Sequence, residues 1–164
     1  MIKYVDYDIV FQEVPGEVSL ALNISNCPHR CKGCHSPHLQ EDTGEDLERD
    51  LPGLLDKYRG MITCVLFLGE GNDDMALVRC EEVVRRAGLK VAVYTGEKIL
   101  GELNSQYFVW EVDCFGSPDY LKAGPYKKEL GGLSSPSTNQ RMYRWNADAK
   151  RYDDITYMFW RKPE

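Results

Sequence analysis

Two short runs in this chain contain no charged or small polar residue: Cys64-Val65-Leu66-Phe67-Leu68 and Val91-Ala92-Val93-Tyr94. A strand with one wet face alternates polar and apolar side chains. An unbroken apolar run is expected of a strand covered on both faces, as in a parallel sheet. Between the runs, Leu77, Cys80, Val83, Val84 and Ala87 recur at helical spacing. Asp73 or Asp74 can cap that helix, and Gly88 can stop it. Strand, helix, strand predicts a right-handed βαβ unit and an α/β domain built on a parallel sheet.

The remaining elements are read around that unit. Residues 4–11 and 18–24 read as extended, split by the turn signal Pro15-Gly16. Residues 41–46 are acidic and loop-like. Leu47, Leu51, Leu54, Leu55 and Tyr58 recur at helical spacing, with Pro52 leaving the start of that helix open by a turn. A short helix is expected over 97–103, a strand over 107–112, and late strands over 142–145 and 155–160. Residues 124–140 read as a long loop rich in Gly, Pro and Ser, and a loop of that length in a compact domain is more often functional than idle. No repeat or linker divides the chain, so residues 1–164 are expected to form a single domain.

The 164 residues are 43% hydrophobic and 28% charged, which suits one globular core and not a disordered chain. No apolar run approaches the length of a membrane helix, and the first residues lack the layout of a signal peptide. The formal charge of −6 counts against sequence-independent binding to nucleic acid, which needs cations to neutralise phosphates. Six cysteines are present, at 27, 31, 34, 64, 80 and 114. A chain with this much apolar residue does not need disulfide staples. Three of the six fall within eight residues, and the others are scattered among apolar neighbours. The expectation is a reducing cytoplasm and a metal site at the cluster, with Cys64, Cys80 and Cys114 acting as small core residues.

The cluster is Cys27-Pro28-His29-Arg30-Cys31-Lys32-Gly33-Cys34, a C-x3-C-x2-C spacing directly after an expected strand. Thiolates bind iron–sulfur clusters, and a four-iron cluster usually takes four. Three would leave one iron open to a small molecule. A structural zinc site of three cysteines and one histidine is the alternative, because His29, His35 and His38 all lie within or beside the cluster.

The string from Cys27 to Cys34, continued by His35-Ser36-Pro37, resembles the radical S-adenosylmethionine (SAM) superfamily. More narrowly, it resembles the activating proteins of anaerobic ribonucleoside-triphosphate reductase. Gly33 stands where the superfamily commonly has an aromatic, and glycine there is usual in this activase group. The resemblance implies a small incomplete parallel (βα) barrel of the radical SAM type. It implies that Cys27, Cys31 and Cys34 hold a [4Fe–4S] cluster whose fourth iron is chelated by SAM. One electron would cleave the sulfonium, and the 5′-deoxyadenosyl radical would abstract a Cα hydrogen from one glycine of the reductase large subunit. It also implies a small reducing electron donor; the net charge and the lack of a long apolar run add the expectation of no nucleic-acid and no membrane partner.

Three further stretches carry the resemblance. Leu68-Gly69-Glu70-Gly71 is similar to the superfamily's Gly-Gly-Glu stretch that contacts the SAM amino group, with Leu68 in place of its first glycine. Tyr94-Thr95-Gly96-Glu97 is similar to a segment lying beside SAM. Together these set Gly33, Cys34, His35, Gly69, Glu70, Thr95 and Gly96 beside the cofactor. The series Lys122-x-Gly124, Gly131-Gly132-Leu133 and Thr138-Asn139-Gln140-Arg141 also occurs in the activase group. Read from the residues, Asn139 and Gln140 can instead satisfy loop backbone, and Arg141 can pair with an acid. Trp110, Trp145 and Trp160 read as packing residues and Lys127-Lys128 as a solvated face. Two other functions fit the same residues: a radical SAM enzyme with a different acceptor, and a non-enzymatic zinc-bearing interaction module.

Overall fold

The computed structural model describes residues 1–27, 37–69, 71–96 and 118–160. Strands β1 (Lys3–Val10) and β2 (Ser19–Ile24) are joined by a turn at Pro15-Gly16 and pair antiparallel. A two-residue strand β3 (Glu45–Asp46) pairs with the start of β1 and leads into helix α1 (Leu47–Lys57). Then come β4 (Cys64–Leu68), α2 (Asp74–Arg86) and β5 (Lys90–Tyr94). After these lie β6 (Tyr120–Ala123), β7 (Arg141–Asn146) and β8 (Arg151–Asp154). The described strands form one sheet in the order β3-β1-β2-β4-β5-β6-β7-β8, with no pairing between its ends.

The local signals explain these elements. Asp46 caps α1 by accepting from the Arg49 N–H, and Asp73 caps α2 by accepting from the Ala76 N–H at 3.1 Å. Gly88, at φ +79°, lets the chain leave α2. Pro52 lies inside α1 and does not move its start. Its ring is on the exposed side, where water can take up the hydrogen bond it cannot make.

Both faces of the sheet are covered, as the apolar runs required. On one face α1 and α2 pack against each other and the sheet, joining Leu51, Leu77 and Val84 to Leu20, Leu22, Val65, Phe67, Val91, Val93 and Leu121. On the other, Ala21, Cys64, Leu66, Ala92, Tyr120 and Met142 are covered by Val14 and Ile155. Residues 11–14 therefore form a strap across the face opposite the helices, with Val14 only 1% exposed beneath it.

The α/β class is observed; in place of the expected small incomplete parallel (βα) barrel, the described strands form a mixed, open sheet. Only β2, β4, β5 and β6 are parallel, while β1, β3, β7 and β8 join antiparallel. Connections account for part of this: β1 to β2 and β7 to β8 are joined by short links that reverse the chain, whereas α2 carries it from β4 back parallel into β5. Two elements also differ. Residues 120–123, to which the sequence reading gave no element, form a mostly buried strand. The expected strand at 155–160 is instead a 3-10 turn, Thr156–Phe159, held by the Asp154 carboxylate accepting from the Thr156 N–H and hydroxyl. The helix expected at 97–103, the strand at 107–112, Trp110 and Cys114 lie outside the described residues. Among the described residues, no helix is long and apolar enough to cross a membrane.

Candidate active site

A parallel sheet gathers its strand ends. In register, Asn23 of β2 pairs with Leu68 of β4, Leu68 with Tyr94 of β5, and Tyr94 with Lys122 of β6. These four positions form one row at the carboxyl ends of the parallel strands, the edge where α/β sheets bind ligands. They line a pocket of about 630 Å³ together with the turns that follow each strand. That volume lies in the range of small-molecule sites.

The turn after β4 needs its glycines. Gly69 has φ +105° and Gly71 φ +65°, and a Cβ on Gly71 would lie 3.1 Å from Ile24 Cγ2. The Gly69 N–H donates to the Tyr94 carbonyl at 3.1 Å, and the Thr95 N–H donates to the Lys122 carbonyl at 2.8 Å. These main-chain bonds extend the ladder past the strands and fix the rim. Thr95 is buried, and Gly69, Thr95 and Gly96 all line the pocket.

Cys27 also lines the pocket and is half-buried. After β2, Asn26 turns the chain with φ +59°, a conformation asparagine tolerates. The Asn26 N–H donates to the Glu41 carbonyl at 2.9 Å, and the Cys27 N–H to the Leu39 carbonyl at 3.0 Å. Leu39 lines the pocket too. The chain thus leaves the described structure at Cys27 and is clamped to its return at Leu39. Cys31, Cys34, Gly33, His29 and His35 lie outside the described residues, as does Glu70. Among the described residues no three His, Cys, Asp or Glu side chains stand together as a metal site. His38 is exposed.

The long loop forms the opposite wall, through Gly124, Tyr126, Gly132, Leu133, Ser134 and Gln140. It is closely tied. The Gln140 amide donates to the Gly124 carbonyl at 3.3 Å, and the Asn139 amide to the Pro125 carbonyl at 3.0 Å. The Thr138 hydroxyl donates to the Gly131 carbonyl, and the Trp160 indole to the Leu133 carbonyl at 2.9 Å. Asn139 and Gln140 therefore satisfy backbone, and Gln140 also lines the pocket. Arg141 pairs with Asp154 at 3.7 Å and lies over the Trp160 ring. Trp145 stacks edge-on with Tyr152, and Lys127 and Lys128 are exposed.

Sequence reading did not single out Gln12, Glu13 or Asn23 for the pocket, and it assigned no individual contact to Lys122. Gln12 and Glu13 enter from the strap, and nothing in their spacing marks them. Lys122 had a weak signal, a lone charge between the apolar residues Leu121 and Ala123. Glu13 and Lys122 are the charged side chains among the described lining residues, one of each sign. Cys64 and Cys80 play no part: burial pushes both thiols up to about 12, which leaves them protonated.

No family model matches this chain, and neither a curated protein nor a solved structure matches it.

Of the three cysteines expected to hold a cluster, Cys27 is the one among the described residues, and it lines the pocket. Glu13 and Lys122 add one carboxylate and one ammonium, and Ile24, Leu39, Leu68, Leu133 and Phe159 add apolar wall, a lining compatible in size and chemistry with a small zwitterion that carries an aromatic base.

Proposed function

We propose that this chain is a radical SAM activase that generates a glycyl radical in an anaerobic ribonucleoside-triphosphate reductase. The observation carrying the reading is that Cys27, Gly69, Thr95 and Gly96, chosen from three separate stretches of sequence, line one pocket at the carboxyl edge of the parallel strands. In this reading Cys27, Cys31 and Cys34 hold a [4Fe–4S] cluster, and the quartet β2-β4-β5-β6 is what remains of a shortened incomplete barrel. When bound, the cluster and SAM supply one-electron cleavage of a sulfonium and a hydrogen-abstracting 5′-deoxyadenosyl group.

The chain's own residues bind and orient. Glu13 accepts from ligand N–H or O–H groups, and Lys122 gives its ammonium to an anionic group; both interactions are strengthened where water is scarce. Gly33, His35, Glu70, Thr95 and Gly96 complete the shell around SAM. Leu68, Leu133 and Phe159 exclude water from the reacting carbon. The rigid 124–140 loop leaves the mouth shaped for a backbone segment of a protein substrate. A small reducing donor in a reducing cytoplasm delivers the electron.

The test is anaerobic. Reconstituted protein with SAM and dithionite should yield methionine and 5′-deoxyadenosine in equal amounts. Adding the reductase should produce a glycyl radical detectable by electron paramagnetic resonance. Cys31→Ala should abolish bound iron and cleavage together; cleavage retained in that variant would remove the cysteine assignment. Cleavage without a glycyl radical in the reductase would keep the chemistry and discard the acceptor.

A further inference from the structure

Tyr94 touches three walls of the pocket by three different atoms. Its carbonyl accepts from Gly69, its hydroxyl donates to the Glu13 carbonyl at 2.5 Å, and its ring lies 5.0 Å from the Lys122 ammonium. The strap carrying Gln12 and Glu13 belongs to no helix or strand. Its local bonds are Gln12 N–H to the Glu13 carboxylate and Glu17 N–H to the Val14 carbonyl. Among the described residues, the Tyr94 hydroxyl makes the hydrogen bond that ties residues 11–13 to the sheet. A cation within about 6 Å of an aromatic face is attracted to it, so the same ring restricts where the Lys122 ammonium can sit.

We infer that Tyr94 is the positioning residue of this pocket, latching the strap that carries Glu13 with its hydroxyl and seating the Lys122 ammonium with its ring. The inference rests on the reading of the pocket as the SAM site. Tyr94 need not touch the reacting atoms: it fixes where the acid and the base of the pocket stand. Burial against the apolar cluster that includes Val14, Leu66 and Ala92 keeps the phenol protonated, with its pKa well above the ordinary tyrosine value, so the latch does not open by ionisation near neutrality.

Tyr94→Phe removes the hydroxyl and keeps the ring, so folding and the Lys122 contact are retained. Hydrogen–deuterium exchange across residues 11–17 should accelerate roughly three- to tenfold, the loss of one hydrogen bond, with α2 unchanged. In the reconstituted protein KM for SAM should rise by a similar factor with kcat within about twofold, the signature of lost ground-state positioning. Tyr94→Leu should add a further rise in KM because the ring is gone. Unchanged exchange and unchanged KM in Tyr94→Phe would overturn the inference, as would a fall in kcat alone. Faster strap exchange in a protein whose wild type binds no SAM would support the latch and overturn the cofactor reading.

Discussion

Glu17 is a nearly buried carboxylate, 7% exposed, at the end of the parallel strands opposite the pocket. Burial alone would raise its pKa. Hydrogen bonds from Lys90 at 2.6 Å, from Thr63 and from Tyr120 at 3.1 Å outweigh that cost and lower it. A lowered folded-state pKa means stability that is present above the unfolded value and lost as pH falls through the folded one. Glu17→Gln should therefore cost about 1–3 kcal/mol at neutral pH. In urea titrations, its stability should converge with wild type as the pH drops below the ordinary glutamate range. A difference that persisted unchanged into acid would assign the effect to shape. Neither this network nor the Tyr94 latch was legible in the sequence, because both join residues more than forty positions apart. What was legible was local: Asp73 as a cap, Gly88 as a stop, Cys64 and Cys80 as core.

Among elements, the strands with unbroken apolar runs were readable because burial on both faces leaves no polar position to confuse the pattern. β6 was not readable. It has four residues with a lysine among them, and its identity as a strand comes from β5 and β7 pairing on either side. The 155–160 segment failed for the opposite reason: its apolar residues suggested a strand, but a local side-chain cap won. The 124–140 loop was legible by its composition, while its place along the pocket and its internal hydrogen bonds depend on contacts that only the fold creates. Gly124 tests those contacts. It has φ +106°, and a Cβ there would lie 3.3 Å from the Asn139 carbonyl oxygen. Gly124→Ala should cost about 1–2 kcal/mol for the left-handed backbone, before any clash. In a domain of this size that lowers Tm by roughly 2–8 °C in calorimetry. An unchanged Tm would mean that the loop yields freely and is no fixed wall.

For the whole molecule, the α/β architecture was legible in the order of elements, and the mixed direction of the strands was not. The sequence marks which segments are strands more clearly than which direction they run. Direction follows from the connections, and the short ones at Pro15-Gly16 and between β7 and β8 impose reversal. The mixed sheet still brings the ends of four parallel strands to one edge, which is all the pocket requires. Whether that pocket serves radical chemistry turns on the metal at its rim. The direct measurement is iron, sulfide and zinc content of anaerobically purified protein, with electron paramagnetic resonance of the reduced form with and without SAM. The account predicts a four-iron signal that changes when SAM is added. Stoichiometric zinc without iron would contradict it and leave a three-cysteine site that holds a loop.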